Sequence, residues 1–212
     1  MVSKLHYISQ GITPKQHLQN IQNACTAGAD WVQLRLKNVD PKTVLETAKK
    51  AREITAHFQT RLIINDYYKI AKEVKADGVH LGKTDININI ARKYLHTWQI
   101  IGGTANTLED CENLITNHVD YIGLGPFRFT TTKDNLSPIL GIKGYQTIIE
   151  ALKTNIPIIA IGGITLNDVI KIIETGIYGI AISSEITKNF KSINQFKTLI
   201  NPEALKEQIW KI

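Results

Sequence analysis

The stretch Ala27-Gly28-Ala29-Asp30-Trp31-Val32-Gln33-Leu34 returns three times in altered form. It recurs as Lys75-Ala76-Asp77-Gly78-Val79-His80-Leu81, as His118-Val119-Asp120-Tyr121-Ile122-Gly123-Leu124 and as Thr175-Gly176-Ile177-Tyr178-Gly179-Ile180-Ala181-Ile182. Each copy runs from a polar or small residue into a short β-branched strand pattern, and each falls on every second strand of the chain. An echo of that period is what repeated (βα)₂ units produce. Working outward from it, eight strands are predicted at 4–9, 31–36, 61–65, 78–81, 99–102, 121–125, 157–161 and 179–183. Helical patterns at 14–28, 41–58, 67–75, 86–96, 107–118, 143–153, 166–175 and 190–200 lie between them. Pro14 and Pro41 stand where a first-turn proline belongs, behind the capping residues Thr13 and Asp40. The last stretch, 202–211, reads as a closing helix. The expected fold is α/β, a (β/α)₈ TIM barrel with residues 1–212 forming a single domain. A doubly wound open sheet is the alternative, disfavoured by eight βα units and by the lack of Gly-x-Gly-x-x-Gly after the first strand.

Composition narrows the function classes. The 212 residues are 43% hydrophobic and 21% charged, as in ordinary globular proteins. The longest apolar stretch, 156–161, is far short of a membrane span, and the first ten residues lack a signal-peptide pattern, so a cytoplasmic protein without a membrane partner is expected. The two cysteines, Cys25 and Cys111, have no ligand spacing and read as buried thiols. The net charge of +6 is dispersed, with no basic block longer than two residues, which argues for phosphorylated small molecules rather than nucleic acid. Homo-oligomer formation is left open.

In a barrel, chemistry gathers at the C-terminal ends of the strands. Strand two ends in Gln33-Leu34-Arg35-Leu36-Lys37, and period-two alternation puts Gln33, Arg35 and Lys37 on the inner face. Such cations call for a polyanion such as pyrophosphate, or for internal salt bridges. Asn65-Asp66 ends strand three, and Asp85 follows strand four in Gly82-Lys83-Thr84-Asp85. The paired carboxylates beside a cationic triplet suit Mg²⁺, whereas Asp66 alone would read as a helix N-cap. After strand five, Gly102-Gly103-Thr104 is expected as a hairpin that offers one hydroxyl. After strand six, Thr130-Thr131-Thr132-Lys133 belongs to a long connection, either a lid or a solvated loop. Gly162-Gly163 after strand seven and Ser183-Ser184 after strand eight have the form of a barrel phosphate site. Two anion sites in one mouth imply two phosphorylated substrates. His80 is open between an acid/base role and a hydrogen-bonded barrel position; the other five histidines read as structural or on the surface, and Trp31, Trp98 and Trp210 as packing residues.

Gln33-Leu-Arg-Leu-Lys37, Ile64-Asn-Asp66, Gly78-Val-His-Leu-Gly82 with Asp85, Gly125-Pro126 with Thr130-Thr-Thr-Lys133, and Ala160-Ile-Gly-Gly-Ile164 with Ser183-Ser184 together resemble the thiamine phosphate synthase family, in order over residues 4–187. The resemblance implies an Mg²⁺-dependent transferase of thiamine biosynthesis, joining hydroxymethylpyrimidine diphosphate to thiazole phosphate with release of pyrophosphate. It implies that Gln33, Arg35, Lys37, Asn65, Thr104 and Lys133 hold the diphosphate, that Asp66 and Asp85 bind Mg²⁺, and that Thr130, Thr132, Gly163, Ser183 and Ser184 hold the thiazole phosphate. Arg35, Lys37 and Lys133 would neutralise the leaving group. Leu36 and Thr104 depart from the family pattern, though Thr104 keeps a hydroxyl. A thiazole tautomerase-like paralogue and a non-catalytic sensor of thiamine precursors are the competing readings.

Overall fold

The computed structural model describes residues 1–129 and 138–201. Eight parallel strands, each hydrogen-bonded to the next, close into a barrel in chain order. They are β1 (Leu5–Ile8), β2 (Trp31–Leu34), β3 (Arg61–Asn65), β4 (Gly78–Leu81), β5 (Ile100–Ala105), β6 (Tyr121–Leu124), β7 (Ile158–Ile161) and β8 (Gly179–Ile182). Closure through the β1–β8 pairing removes the open-sheet alternative. The helices are α1 (Pro14–Thr26), α2 (Pro41–His57), α3 (Tyr68–Glu73), α4 (Ile88–Tyr94), α5 (Leu108–Thr116), α6 (Gly141–Ala151), α7 (Val169–Ile173) after a 3₁₀ turn at Leu166–Asp168, α8 (Ser184–Lys188) and α9 (Ser192–Ile200). Thr13 caps α1 in a full capping box and Asp40 caps α2, each followed by proline. The predicted closing helix at 202–211, with Trp210, lies outside the described residues. Among those described, no helix is long and apolar enough to cross a membrane.

The repeated segment has a physical cause. Gly28, Lys75, His118 and Gly176 all have positive φ, the left-handed turn that ends each preceding helix. The next residue, Ala29, Ala76, Val119 or Ile177, is buried. Then comes Asp30, Asp77, Asp120 or Tyr178, at the threshold of the strand. Asp77 Oδ2 accepts the Leu62 N–H at 2.8 Å and Asp120 Oδ2 accepts the Ile101 N–H at 2.7 Å. Each aspartate thus satisfies an N–H of the strand before its own at the bottom of the barrel, and each is paired with an arginine, Arg52 or Arg92. These residues secure strand starts, on the face where barrels keep stability rather than chemistry.

Alternation along the strands divides the core. Val32 and Leu34, Leu62 and Ile64, and Val79 and Leu81 face the helices in the outer layer. Ile8, Trp31, Ile63, Tyr121, Ile159 and Ala181 fill the inside. Trp31 is fully buried, as expected of a packing residue, whereas Trp98 is 54% exposed and packs by stacking on His96.

β5 corrects the sequence reading most. Gly102-Gly103 is not a hairpin but mid-strand, and β5 runs on to Ala105. A Cβ on Gly102 would lie 2.1 Å from the Tyr121 ring, and one on Gly103 would lie 2.4 Å from Leu114. The glycines are packing vacancies, one taken by an interior ring and the other by a helix side chain. β2, in turn, stops at Leu34 rather than at residue 36.

Candidate active site

Near the C-terminal ends of β5 and β6 the small residues Thr104, Gly123 and, just past the strand, Gly125 line a cavity of about 500 Å³ open at the C-terminal mouth. Its floor is aromatic. His6 stacks on Trp31 at 4.3 Å between ring centroids, and Trp31 meets Tyr121 edge-on at 5.6 Å. His6 is 1% exposed, and burial drops its imidazole to about pKa 3 against the pull of the Ser3 carbonyl. Tyr121 keeps its proton, because burial raises the phenol far above its ordinary value. His80 bonds through Nδ1 to the Tyr121 hydroxyl at 3.0 Å and through Nε2 to Thr104 Oγ1 at 2.9 Å. The hydrogen-bonded barrel reading therefore holds for His80, and the Thr104 hydroxyl is already in contact with it.

On one wall the expected polyanion residues come together. Gln33 Nε2 donates to Asn65 Oδ1 at 2.8 Å, both residues being buried. The Asn65 Nδ2, also buried, has no partner among the described residues. Arg35 and Lys37 continue the inward alternation past the end of β2, with Leu36 buried on the opposite side. The two cations are not buried together, for the Lys37 side chain is 47% exposed at the rim. Lys37 Nζ pairs with Asp66, so the salt-bridge alternative is realised for Lys37. The Arg35 N–H donates to Ser9 Oγ at 3.1 Å, and Ser9 Oγ also bonds His17 Nδ1 at 2.8 Å, fixing the tips of β1 and β2 to each other.

Asp66 is not the N-cap of α3. That position is Tyr67, which makes no side-chain cap, while Asp66 itself sits at φ +64°. Its carboxyl faces Asp85. Burial, then the Asp66 carboxyl against it, push Asp85 up to about pKa 6, while the Gly82 N–H, 2.6 Å from Asp85 Oδ2, works in the other direction. Two acidic oxygens held against each other need a proton or a cation between them.

The facing wall carries Gly162 and Gly163, at φ +101° and +68°, and Ser183-Ser184 at the start of α8. The buried Ser183 Oγ has no partner among the described residues. Thr130, Thr132 and Lys133 lie outside the described residues. Two neighbours of the site were missed by the sequence reading. Asn106, whose Nδ2 donates to the Gly125 carbonyl at 2.5 Å, follows directly on the true end of β5; placing that end correctly would have found it. Arg128, between Gly125-Pro126 and Thr130, carries no motif of its own; it bonds to the Gly163 carbonyl and pairs with Asp168.

The family model for thiamine monophosphate synthase matches residues 5–186. The chain belongs to that family. Among similar members, the thiamine-phosphate synthase of Flavobacterium johnsoniae is 48% identical over 192 residues, covering 89% of this chain and 91% of that one. The synthase of Bacteroides fragilis is 40% identical over 200 residues, covering 93% and 98%. A solved thiamine phosphate pyrophosphorylase from Pyrococcus furiosus superposes with a TM-score of 0.79 at 27% identity, covering 94% of this chain and 96% of that one. The match spans the barrel from β1 into α8, so both walls of the cavity belong to the part shared with the family.

Proposed function

We infer that this chain is a thiamine phosphate synthase, condensing hydroxymethylpyrimidine diphosphate with thiazole phosphate to give thiamine phosphate and pyrophosphate. The observation that carries the reading is one cavity with an anion-binding wall on each side: Gln33, Arg35, Lys37, Asn65, Asp66 and Asp85 on β2–β4, and Gly163, Ser183 and Ser184 on β7–β8, over an aromatic floor. Two substrates with a phosphate each need such an arrangement. A tautomerase handling one phosphate would leave the first wall without a task, and the family match favours the synthase over a sensor.

The donor set of Asp66 and Asp85 fits Mg²⁺, a hard cation that takes one or two carboxylates and completes its shell with substrate oxygens and water. When bound, it would offset charge on the departing pyrophosphate. Arg35 and Lys37 hold the diphosphate and share that charge, Lys37 exchanging part of its bond to Asp66 for the ligand. Lys133 shares that charge as well, and Thr130 and Thr132 hold the thiazole phosphate, the roles that the family motif gives them. The unpartnered Asn65 amide and Ser183 hydroxyl are one donor for each substrate. The pyrimidine methylene–oxygen bond breaks with its electron pair leaving on pyrophosphate, and the thiazole nitrogen supplies the pair for the new bond. No proton must be removed from the nucleophile, so neither His6 nor His80 is required as a base. Catalysis is then positioning and charge neutralisation. Purified protein incubated with both phosphorylated precursors and Mg²⁺ should form thiamine phosphate and pyrophosphate in equal amounts; binding of both precursors without product would overturn the reading.

A further inference from the structure

Arg128, in the β6–α6 connection, lies against the glycine turn after β7, touching it twice and the following 3₁₀ turn once. Its N–H donates to the Gly162 carbonyl at 3.0 Å. Its Nη1 donates to the Gly163 carbonyl at 3.1 Å, and its Nη2 pairs with Asp168 at 2.7 Å. The guanidinium also lies over the Phe127 ring, 4.9 Å from its centroid. Asp168, whose side chain is 13% exposed, is itself fixed, because its Oδ2 accepts both the N–H and the hydroxyl of Thr165. The turn therefore carries a five-donor planar cation held by a carboxylate that cannot swing away.

Peptide geometry gives this contact a consequence for ligand binding. In a trans peptide the C=O and the following N–H lie in one plane and point in opposite directions. With both the Gly162 and Gly163 carbonyls turned to Arg128, the N–H groups of Gly163 and Ile164 are turned away from it. Neither donates to any acceptor among the described residues, and Gly163 and Ile164 line the cavity. Successive backbone N–H groups around a positive-φ residue form a concave anion site. Left alone, a Gly-Gly turn can rotate these planes at little steric cost.

We propose that Arg128, braced by Asp168, is a positioning residue that locks the Gly162–Ile164 peptide planes so that two N–H groups face the thiazole phosphate. This rests on the reading of the β7–β8 wall as the thiazole phosphate site. Arg128→Ala should raise KM for the thiazole phosphate by about tenfold or more, while KM for the pyrimidine diphosphate and kcat stay within about twofold, the pattern of a lost ground-state contact. Arg128→Lys keeps the ion pair but not the second donor, and should recover part of the loss. Asp168→Asn should move the same KM in the same direction by less. Equal rises in both KM values, a fall in kcat alone, or full recovery with Arg128→Lys would overturn the proposal. If Arg128→Ala does not fold, as judged by circular dichroism, the Lys and Asn variants decide by the same split. Calorimetry with inorganic phosphate separates the two layers of inference. Should the wild-type protein form no thiamine phosphate, the synthase reading fails, and the clamp then stands if Arg128→Ala weakens phosphate binding and falls if it does not.

Discussion

The buried His6 should make the barrel acid-sensitive. Its imidazole titrates at about 3 in the fold, against an ordinary 6.5, because charging it would place a cation between Trp31 and Tyr121 without solvent. Nε2 donates to the Ser3 carbonyl at 2.8 Å, so the neutral ring carries its proton there. The unfolded chain takes up a proton below pH 6.5 that the folded chain refuses until pH 3, so within that window the unfolded state holds one proton more. Stability then rises with pH; it is fully present above 6.5 and lost as pH falls, by about 1.4 kcal/mol per unit. Between 6.5 and about 4.5 the loss amounts to about 2–3 kcal/mol, a large share of a small barrel's stability. His6→Phe removes the titrating group and keeps a ring against Trp31. Urea unfolding of both proteins at several pH values isolates the effect. The lowered pKa of His17 acts in the same direction, whereas the raised Asp85 carboxyl acts oppositely, its burden being relieved as pH falls through about 6. Both groups remain in the variant and cancel in the difference. If wild type and His6→Phe lose stability in parallel as pH falls, His6 is not held neutral and the reasoning is wrong.

Removing divalent ions with EDTA should abolish thiamine phosphate formation and added Mg²⁺ restore it, with Asp66→Asn and Asp85→Asn each needing more Mg²⁺; full turnover in metal-free buffer would exclude the site. Arg35→Ala should weaken diphosphate binding, whereas Gly163→Val, whose Cβ would stand 2.4 Å from Arg128 Cγ at a φ of +68°, should chiefly raise KM for the thiazole phosphate. Calorimetry with each substrate checks the assignment, and the reverse pattern would exchange the two walls. Lys133→Ala should bind both substrates but lower kcat by about 10²–10³-fold, as loss of one preorganised donor to a developing charge does. A first turnover at the wild-type rate in a single-turnover experiment would make Lys133 a binding residue only.

Much of this protein is written locally. Strand and helix order follow from periodicity and from the caps at Thr13 and Asp40, which need no distant partner. The strand-end residues Gln33, Arg35, Asn65, Asp66, Asp85, Gly163 and Ser183 could be named because a parallel barrel sends every strand end to one face. The repeat could be seen too, although the part that Asp77 and Asp120 play in it, satisfying N–H groups of the preceding strand, could not. What the sequence left undecided depends on contacts between residues far apart in the chain. Gly102-Gly103 has the look of a turn when read alone; only Tyr121 and Leu114, filling the space of the missing side chains, show that it is strand. Asp66 taken alone reads as a cap and only beside Asp85 as a metal ligand; the closed barrel is what sets its carboxyl against Asp85 and Lys37. His80 has two open roles until Tyr121 and Thr104 take its two nitrogens, and Arg128 has none until the β6 connection lays it across the turn after β7. Local pattern determines which elements form and which way their side chains point, because both are set by the backbone period. Which side chains meet is decided by barrel closure, since that alone fixes distances between strands separated by dozens of residues.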